Sequence, residues 1–430
     1  MPSGAFSHRL CRSAIAALAA LTACASLAGA QNTTGSIRGS ITAEGGVPAT
    51  GTTVIATNIA TATPRTNISS ERGTYVLTGL VPGVYDVTFR RVGLAPQTRR
   101  TTVGIGQTIL LDITLTNVAA QLAAVNVSDT RGVDARTSEV ATNVSQAQIN
   151  SLPTSDRNFL GLASLAPGVR ISGENAEGTT KNFRAGALDA SSINVFIDGA
   201  SQKNDITSSG IAGQDASRGN PFPQNAVQEF RVITQNFKAE YQKASSAIIV
   251  ATTKSGSNDW HGSLFGNYVN NSFVALDSFQ RANRAANAAT FKLQDYRRYL
   301  AGASFGGPII RSKLFFFGSY EGNDQNRANS VTFNTLPANL PASTASRFAS
   351  NAGSYTSPFR ENLFLGKLNF VANEQTSYEL SYTGRFETDV RSFGGTTSRP
   401  INRSRSNRWV VIWRICRTVS EPNLSCSIPR

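Results

Sequence analysis

Histidine, cysteine and methionine are scarce in this chain of 430 residues. It has two histidines, one methionine and four cysteines, and the cysteines all lie before Gln31 or after Ile415. The stretch between those residues therefore has neither a disulfide framework nor a cysteine-based metal site. With His8 and His261 as the whole histidine content, the sequence also lacks the means for a histidine-rich zinc centre or a Ser/His/Asp triad.

Long apolar runs and charge are also in short supply. After the first thirty residues, no stretch reaches the roughly 18 apolar residues of a membrane helix, so membrane insertion would have to use β structure. Charged residues make up 16% of the chain, whereas 36 residues are glycine, a composition that favours many strands joined by small-residue turns. The net charge of +14 is concentrated in the tail, where seven arginines from Arg399 onward face Glu421 alone. No nucleic-acid-binding motif accompanies this charge, so we expect no nucleic acid partner.

The first thirty residues have the three parts of a signal peptide. Positive charge at residues 8–12 precedes an Ala/Leu-rich stretch, and small residues end it at Ala30. Cleavage after Ala30 would make Gln31 the first residue of the mature protein. An alternative is that Leu21-Thr22-Ala23-Cys24, which resembles a lipobox, places a lipid on Cys24.

Residues 31–116 are predicted to form a small β-sandwich. About seven short strands follow one another at a spacing of about 8 to 12 residues. The stretch from Glu71 to Tyr85, ERGTYVLTGLVPGVY, resembles carboxypeptidase-regulatory-like domains, which have a carbohydrate-binding-like fold. Its pattern predicts a hairpin that supplies Tyr75, Leu77, Leu80 and Tyr85 to the core.

The zinc carboxypeptidases that often carry such a module need two histidines and a glutamate around the metal. The mature chain has one histidine, so we reject this enzyme. No other grouping of residues predicts catalysis, and we expect neither an enzyme nor a cofactor.

Residues 117–255 resemble the plug domain of TonB-dependent receptors. The segment 122–127, LAAVNV, is similar to the extended strand near the TonB box, which singles out Val125 and Val127; an ordinary alternating strand is the alternative. Further on, Ser155 or Asp156 is predicted to cap a helix that Pro167-Gly168 ends. The apolar face of this helix would be formed by Phe159, Leu160, Leu162 and Ala163.

Two further segments of the plug-like region carry the resemblance. Asp198-Gly199 ends an apolar stretch and is predicted to form a turn rather than a ligand contact. In Glu229-Phe230-Arg231, the two charged residues would share one face of a strand and either pair or face a barrel wall. A structural role is favoured over a transport role for these residues.

Residues 256–398 alternate as transmembrane β-strands do. Trp260, Leu264 and Tyr268 would share one face of a strand. Tyr378 and its alternate neighbours would face lipid, while the residues between them would face a wet lumen. The region resembles the early barrel of large receptors that carry a carboxypeptidase-like front domain. In that resemblance, Gly306-Gly307-Pro308 forms the turn of a hairpin with an aromatic-rich return strand.

The barrel is predicted to be incomplete. Residues 255–430 allow about seven strands, against about 22 in plugged outer-membrane transporters, and unpaired edges in lipid are costly. Such a chain is not expected to insert alone as a closed transporter. Residues 399–430 form an atypical tail in which alternation fails, which favours a frameshifted or truncated gene product over a loop with one atypical strand.

Together these resemblances imply a mainly β protein: an N-terminal β-sandwich, an α+β plug and the first strands of an incomplete transmembrane antiparallel β-barrel. They imply a TonB-dependent receptor of the cell outer membrane that imports an external ligand. Its partners would be the TonB-type energy-transducing complex of the inner membrane, outer-membrane lipid, and a siderophore, oligosaccharide or peptide. The alternative is a surface or periplasmic carbohydrate-binding module that transports nothing.

Overall fold

The computed structural model describes most of the chain from residue 33 onward. The described residues are 33–117, 138–154, 157–172, 182–186, 188, 190–203, 219–276, 278–286, 288, 291, 296–331, 341–351, 353–391, 402–417 and 425–427. Within these ranges, no helix combines the length and the apolar character needed to cross a membrane.

The first unit, which we call the sandwich, packs two sheets of alternating strands around one core. One sheet has the order β4-β1-β7, with β8 also pairing with β1, and the other has the order β3-β2-β5-β6. Strand β1 pairs in parallel with β7 and β8, which lie far along the chain. Its strands are β1 Gly35–Ala43, β2 Thr53–Asn58, β3 Pro64–Ile68, β4 Thr74–Leu80, β5 Gly83–Arg90, β6 Gln97–Val103, β7 Thr108–Leu110 and β8 Ile113–Leu115.

The predicted hairpin between Glu71 and Tyr85 is wrong. Strand β4 pairs with β1, whereas β5 pairs with β2 and β6, so the chain crosses from one sheet to the other between them. Gly79 has φ +71° just before this crossing, a conformation that glycine adopts without strain. The crossing still sends the four predicted side chains inward, because the two sheets face one core: Tyr75, Leu77, Leu80 and Tyr85.

The second unit, which we call the plug, is built on a five-stranded sheet of order β13-β12-β15-β14-β9, with a separate β10-β11 pair. Both β12 and β15 are buried along their whole length, so the sheet is covered on both faces. Its elements are β9 Val140–Val144, α1 Gln146–Ser151, a 3₁₀ helix Phe159–Leu165, β10 Val169–Ser172, β11 Asn182–Ala185, β12 Ile193–Ile197, β13 Ala200–Ser201, β14 Val227–Gln235 and β15 Ala247–Thr253.

The helix predicted near residue 159 is a 3₁₀ helix with a different cap. Asn158, not Ser155 or Asp156, accepts a hydrogen bond from the Leu160 N–H; the two predicted caps lie outside the described residues. Asn158 stands one residue before the helix, where a short side chain can reach the first free N–H groups. The four predicted apolar residues are buried: Phe159, Leu160, Leu162 and Ala163.

The third unit, which we call the wall, is a meander of seven antiparallel strands in chain order. Among the described residues, the first of these strands pairs with the second alone, so the sheet does not close. Two α-helices, α2 Ser278–Ala286 and α3 Ala342–Asn351, lie in the connections at one end. The strands are β16 His261–Asn270, β17 Tyr296–Ile310, β18 Leu314–Val331, β19 Gly353–Asn373, β20 Thr376–Arg391, β21 Asn402–Arg417 and β22 Ser425–Ser427.

Two features of the wall differ from the sequence expectation. Gly306-Gly307-Pro308 lies within β17, and the turn follows at residues 311–313, where Ser312 has φ +59°. The glycines serve packing instead, because a Cβ on Gly307 would lie 2.5 Å from the Trp260 ring. In the tail, residues 402–417 pair with β20 along their length although their sequence alternation is weak.

The alternation of side chains along the wall follows the prediction on its outer face. Leu264 is 86% exposed, and Trp260, Tyr268 and Tyr378 are also exposed. The inner face is not the wet surface that we predicted, because it packs against the plug. Phe317 and Leu365 belong to the same buried cluster as the plug core.

The connections define the two ends of the wall. Residues 311–313 and 374–375 are short turns at one end, whereas residues 271–295 and 332–352 are long connections at the other. Outer-membrane barrels have short periplasmic turns and long outer loops. By this rule, the end with the short turns corresponds to the periplasmic end of such barrels.

Candidate functional site

The boundary between plug and wall holds a buried cation. The Lys367 side chain lies on β19 and is 3% exposed. Its Nζ donates to Thr253 Oγ1 at 2.9 Å and lies 3.5 Å from Asp198 Oδ2 and 3.2 Å from Glu379 Oε2. Asp198 and Thr253 belong to the plug and Glu379 to the wall, so one ammonium group ties the two units together. We call these four residues the lysine cluster.

Local backbone geometry aims Asp198 into this cluster. Asp198 and Gly199 have φ of +48° and +78°, the values of a two-residue turn that closes the β12-β13 hairpin. Aspartate tolerates this conformation better than most residues. Asp198 Oδ1 accepts the Thr253 N–H at 2.9 Å, and Oδ2 accepts the Thr253 hydroxyl. Asp198 therefore serves as a turn former and as a contact to the wall.

Two wall carboxylates accept backbone N–H groups of the plug. Glu361 accepts the Asn220 N–H at 2.9 and 3.1 Å through its two oxygens. A Cβ at Gly219 would lie 2.1 Å from Glu361 Oε1, so a larger residue there would force this carboxylate to move. Glu321 accepts the Gln224 N–H at 3.1 Å and the Arg157 Nε–H at 3.3 Å.

Further contacts surround these carboxylates. Arg385 Nε lies 3.3 Å from Glu361 Oε1, and Arg385 also pairs with Glu387 within the wall. The Arg157 guanidinium lies 3.6 Å from the centre of the Phe265 ring. The inner face of the wall thus presents buried charges, several of which pair with the plug or with one another.

The segment Glu229-Phe230-Arg231 lies at a different boundary, the one between plug and sandwich. Glu229 Oε1 accepts the Ile105 N–H at 2.7 Å, and Arg231 Nη1 donates to the Ile105 carbonyl at 3.3 Å. Arg231 also pairs with Glu139 at 3.0 Å. Phe230 points to the opposite face, where its ring packs edge-on to Phe159. Neither charged residue faces the wall.

Burial changes the acidity of Glu229. Loss of hydration raises the pKa of this carboxyl from 4.5 to about 7, against the opposing effect of the Ile105 N–H. The group therefore titrates close to neutral pH.

A cavity of about 340 Å³ lies where the three units meet, at the end of the wall with the short turns. The sandwich contributes Asn58 and Tyr85, the plug contributes Asp198, and the wall contributes Lys367 and Glu379. The lysine cluster is thus at the border of an internal space rather than in a solid core. Within the described residues, no group of three or more histidine, cysteine, aspartate or glutamate side chains could hold a metal ion.

Several residues singled out in the sequence lie outside the described residues: Cys24, Ala30, Gln31, Val125 and Val127. Sequence reasoning missed Lys367, Glu321 and Glu361. Their signal was a charge at an inward position of an alternating strand, as in Phe364-Leu365-Gly366-Lys367-Leu368. Their plug partners could not be read from the same pattern, because each contact joins residues about a hundred or more positions apart.

A plug packed against an open meander of membrane-type strands, with a sandwich at the end of the short turns, resembles part of the architecture that the sequence predicts for an outer-membrane receptor. Comparison with known proteins agrees with this class. Residues 252–385 match the family model of an outer membrane beta barrel domain, and residues 36–116 match that of a carboxypeptidase regulatory-like domain.

The chain is a homologue of TonB-dependent transporters and is a protein of the cell outer membrane. It is 24% identical over 366 residues to the TonB-dependent transporter Oar of Myxococcus xanthus. The matched stretch covers 80% of this chain and 32% of that protein. The chain thus spans about a third of the length of this curated relative.

Two solved structures are also similar. The outer membrane transporter YddB from Escherichia coli has a TM-score of 0.48 at 13% identity, over 65% of this chain and 37% of its own. The ferric enterobactin receptor PfeA from Pseudomonas aeruginosa has a TM-score of 0.42 at 16% identity, over 67% of this chain and 40% of its own.

Proposed function

We propose that this chain provides the gate of a transporter that imports an external ligand across the outer membrane with energy from the inner membrane. In this proposal, the plug closes the barrel and must be displaced for the ligand to pass. The observation that carries it is the lysine cluster, in which a buried wall cation holds the end of plug strand β12.

Polar contacts suit a plug that has to leave its seat. Hydrogen bonds and ion pairs are directional, so a small displacement weakens them steeply. A buried ion pair also adds little net stability compared with apolar packing of the same volume, although removal of one partner is costly. These contacts thus fix the position of the plug while adding little to the free energy that holds it in the wall.

The energy would come from a TonB-type complex that binds near residues 122–127. Pairing of this segment with a strand of the partner would need its backbone N–H groups. We expect Val125→Pro to abolish binding of the purified periplasmic domain of TonB, measured by isothermal titration calorimetry on the detergent-solubilised chain. The control Val125→Thr keeps the N–H and the preference for extended backbone, and we expect it to bind like wild type. Equal binding of both variants would place the partner's site elsewhere.

The ligand would enter from the end with the long connections, residues 271–295 and 332–352. The ligand class stays open between a siderophore, an oligosaccharide and a peptide. In this proposal the chain has no enzymatic role, since the charged residues at the gate are engaged in holding the plug.

The alternative of a carbohydrate-binding module is less well supported. Sugar-binding surfaces commonly stack the ring on an exposed aromatic side chain, and the sandwich has three aromatic residues, Tyr75, Tyr85 and Phe89. All three are buried, with exposures of 3%, 3% and 0%. Among its described residues, the sandwich therefore offers no aromatic platform for a glycan.

A further inference from the structure

Ile105 is a residue of the sandwich that packs in the plug. It lies in the loop between β6 and β7 and is 3% exposed. Its buried neighbours are Phe196, Ile233, Ile248 and Val250, all on one face of the plug sheet. The separate core cluster of the sandwich does not include it. This side chain therefore contributes to the association of the two units rather than to the core of its own.

Polar contacts surround this apolar anchor. Both backbone groups of Ile105 are bound by plug side chains, the N–H by Glu229 and the carbonyl by Arg231. A third bond runs from Gln228 Nε2 to the Pro82 carbonyl at 3.0 Å. We call Ile105, Glu229, Arg231 and Glu139 the clamp.

The sandwich touches the wall differently. The Asn258 N–H, in the linker between plug and wall, donates to the Ala60 carbonyl at 2.8 Å. The Arg65 guanidinium donates to the Glu374 carbonyl at an exposed turn. The cavity of about 340 Å³ separates the sandwich from much of the wall here. Among the described residues, no buried apolar cluster joins the sandwich to the wall. These hydrogen bonds are therefore the weaker attachment.

We infer that the clamp makes the sandwich and the plug one mechanical body, and that the sandwich parts from the wall when the plug is displaced. This inference rests on the proposed function, which supplies the displacement. The N-terminal sandwich would then be the plug's attached partner and travel with it into the periplasm.

The position of the clamp in the chain strengthens this conclusion. The segment between the two units follows Asn117 and ends just before Ser138. On the plug side, the clamp includes Glu139, which follows the end of this segment and pairs with Arg231. A pull on residues 118–137 would thus reach the plug beside its contact with the sandwich.

The test uses spin-label distances in the full chain, with its four cysteines replaced by serine. Thr102, Gln146 and Ala372 are exposed positions of the sandwich, the plug and the wall respectively. They are changed to cysteine two at a time, and each cysteine carries a nitroxide label. The plug is loosened with Lys367→Gln and with urea below the unfolding transition. We expect the Thr102–Ala372 and Gln146–Ala372 distances to lengthen together by several ångströms while Thr102–Gln146 keeps its wild-type distribution. A stable Thr102–Ala372 distance with a broadened Thr102–Gln146 distance would overturn the inference.

A second arm works without any plug displacement. Ile105→Ser, and the milder Ile105→Ala, should broaden the Thr102–Gln146 distribution without urea. The matched control Val92→Ser changes a fully exposed sandwich residue and should leave it unchanged. A wild-type distribution in both Ile105 variants refutes the clamp. If the Gln146–Ala372 distance never changes, the plug is not displaced and the proposed function is contradicted. The Ile105 variants would still test whether the clamp holds the sandwich to the plug.

Discussion

At the scale of single residues, the lysine cluster shows how one ammonium group can hold two units. Lys367 is buried against carboxylates of both the plug and the wall. Removing one member of a buried ionic group leaves the others without compensation, at a cost of about 3–5 kcal/mol.

We therefore expect Lys367→Gln to destabilise the seating of the plug by a few kcal/mol, on the order of the cost for breaking a buried pair. Hydrogen exchange of β12 and β15 in the solubilised chain would measure this, with faster exchange as the expected result. Lys313→Gln, at an exposed lysine of the neighbouring turn, is the control. Adding Asp198→Asn to Lys367→Gln should cost less than the sum of the single changes, because the two residues interact. Strict additivity would contradict the cluster.

Glu229 predicts a dependence of stability on pH. Its pKa is raised to about 7 in the folded chain, so the folded state holds the proton more tightly than the unfolded state does. This contribution to stability is present in full below pH 4.5 and is lost as the pH rises from 4.5 to 7. The loss is on the order of 3 kcal/mol.

The variant Glu229→Gln keeps an oxygen that can accept the Ile105 N–H but cannot ionise. As the pH rises from 4.5 to 7, we expect the unfolding free energy of the wild type to fall relative to that of this variant. Urea titration at a series of pH values would measure the difference. The nearby Arg231–Glu139 pair is unchanged in both proteins and cancels in the difference. Glu71→Gln, at an exposed carboxylate, should show no such trend. A flat difference for Glu229→Gln would mean that the carboxylate is better hydrated than its burial indicates.

At the scale of elements, the link from plug to wall is pinned by close backbone contact. A Cβ on Gly256 would lie 2.4 Å from the Phe316 carbonyl oxygen and 2.7 Å from that of Gly307. Backbone atoms of paired strands cannot move aside as a flexible side chain can.

We expect Gly256→Ala to destabilise the junction by about 1–3 kcal/mol, as overpacking does in other cores. Gly266→Ala is the matched control in the adjacent strand, since a Cβ there meets nothing within 4 Å. Thermal unfolding followed by circular dichroism would compare the two variants. Similar unfolding temperatures for both would show that the linker can shift away from the wall.

The elements also show which parts of the fold a sequence can reveal. Alternation predicted the outward Tyr378 and placed Leu264 on one apolar strand face, because lipid-facing positions must be apolar at every second residue. It failed for the inner face, where polar residues were expected to face water. Phe317 and Leu365 lie there and pack against the plug. It also assigned β4 and β5 to one hairpin, since the choice between pairing and crossing depends on strands elsewhere in the sandwich.

The candidate site was harder to predict than the fold. Asp198 could be identified as a turn residue from its own neighbourhood, but its contact with Lys367 joins residues 169 positions apart. The same holds for Glu229, whose partner at Ile105 lies 124 positions earlier. Local patterns specify the conformation of such residues, while their partners depend on how whole units dock.

At the scale of the whole molecule, the sandwich has a core of its own. Sixteen buried residues from both sheets form one cluster that includes no residue of the plug or the wall. A unit of this size can reach the burial that independent folding needs.

We therefore expect residues 31–116, expressed alone, to unfold in a single cooperative transition. Removal of the plug exposes Ile105, so the fragment should become more soluble with Ile105→Ser and remain equally stable. Urea unfolding followed by tyrosine fluorescence would measure both. A gradual, non-cooperative loss of signal would mean that the sandwich depends on the plug for its fold.

The parallel pairing of β1 has a consequence for the order of folding during export. Ser36 lies beside Thr108, 72 residues later, so the first strand cannot find its partners β7 and β8 until most of the sandwich has emerged. Closing such a long loop is slow compared with forming a local hairpin. The wall, in contrast, is a run of neighbours that pair one after another. One edge of β1 can pair with β4 earlier, but its other edge thus waits in the periplasm until β7 and β8 emerge, and a holding chaperone would have to shield that edge for the longest time.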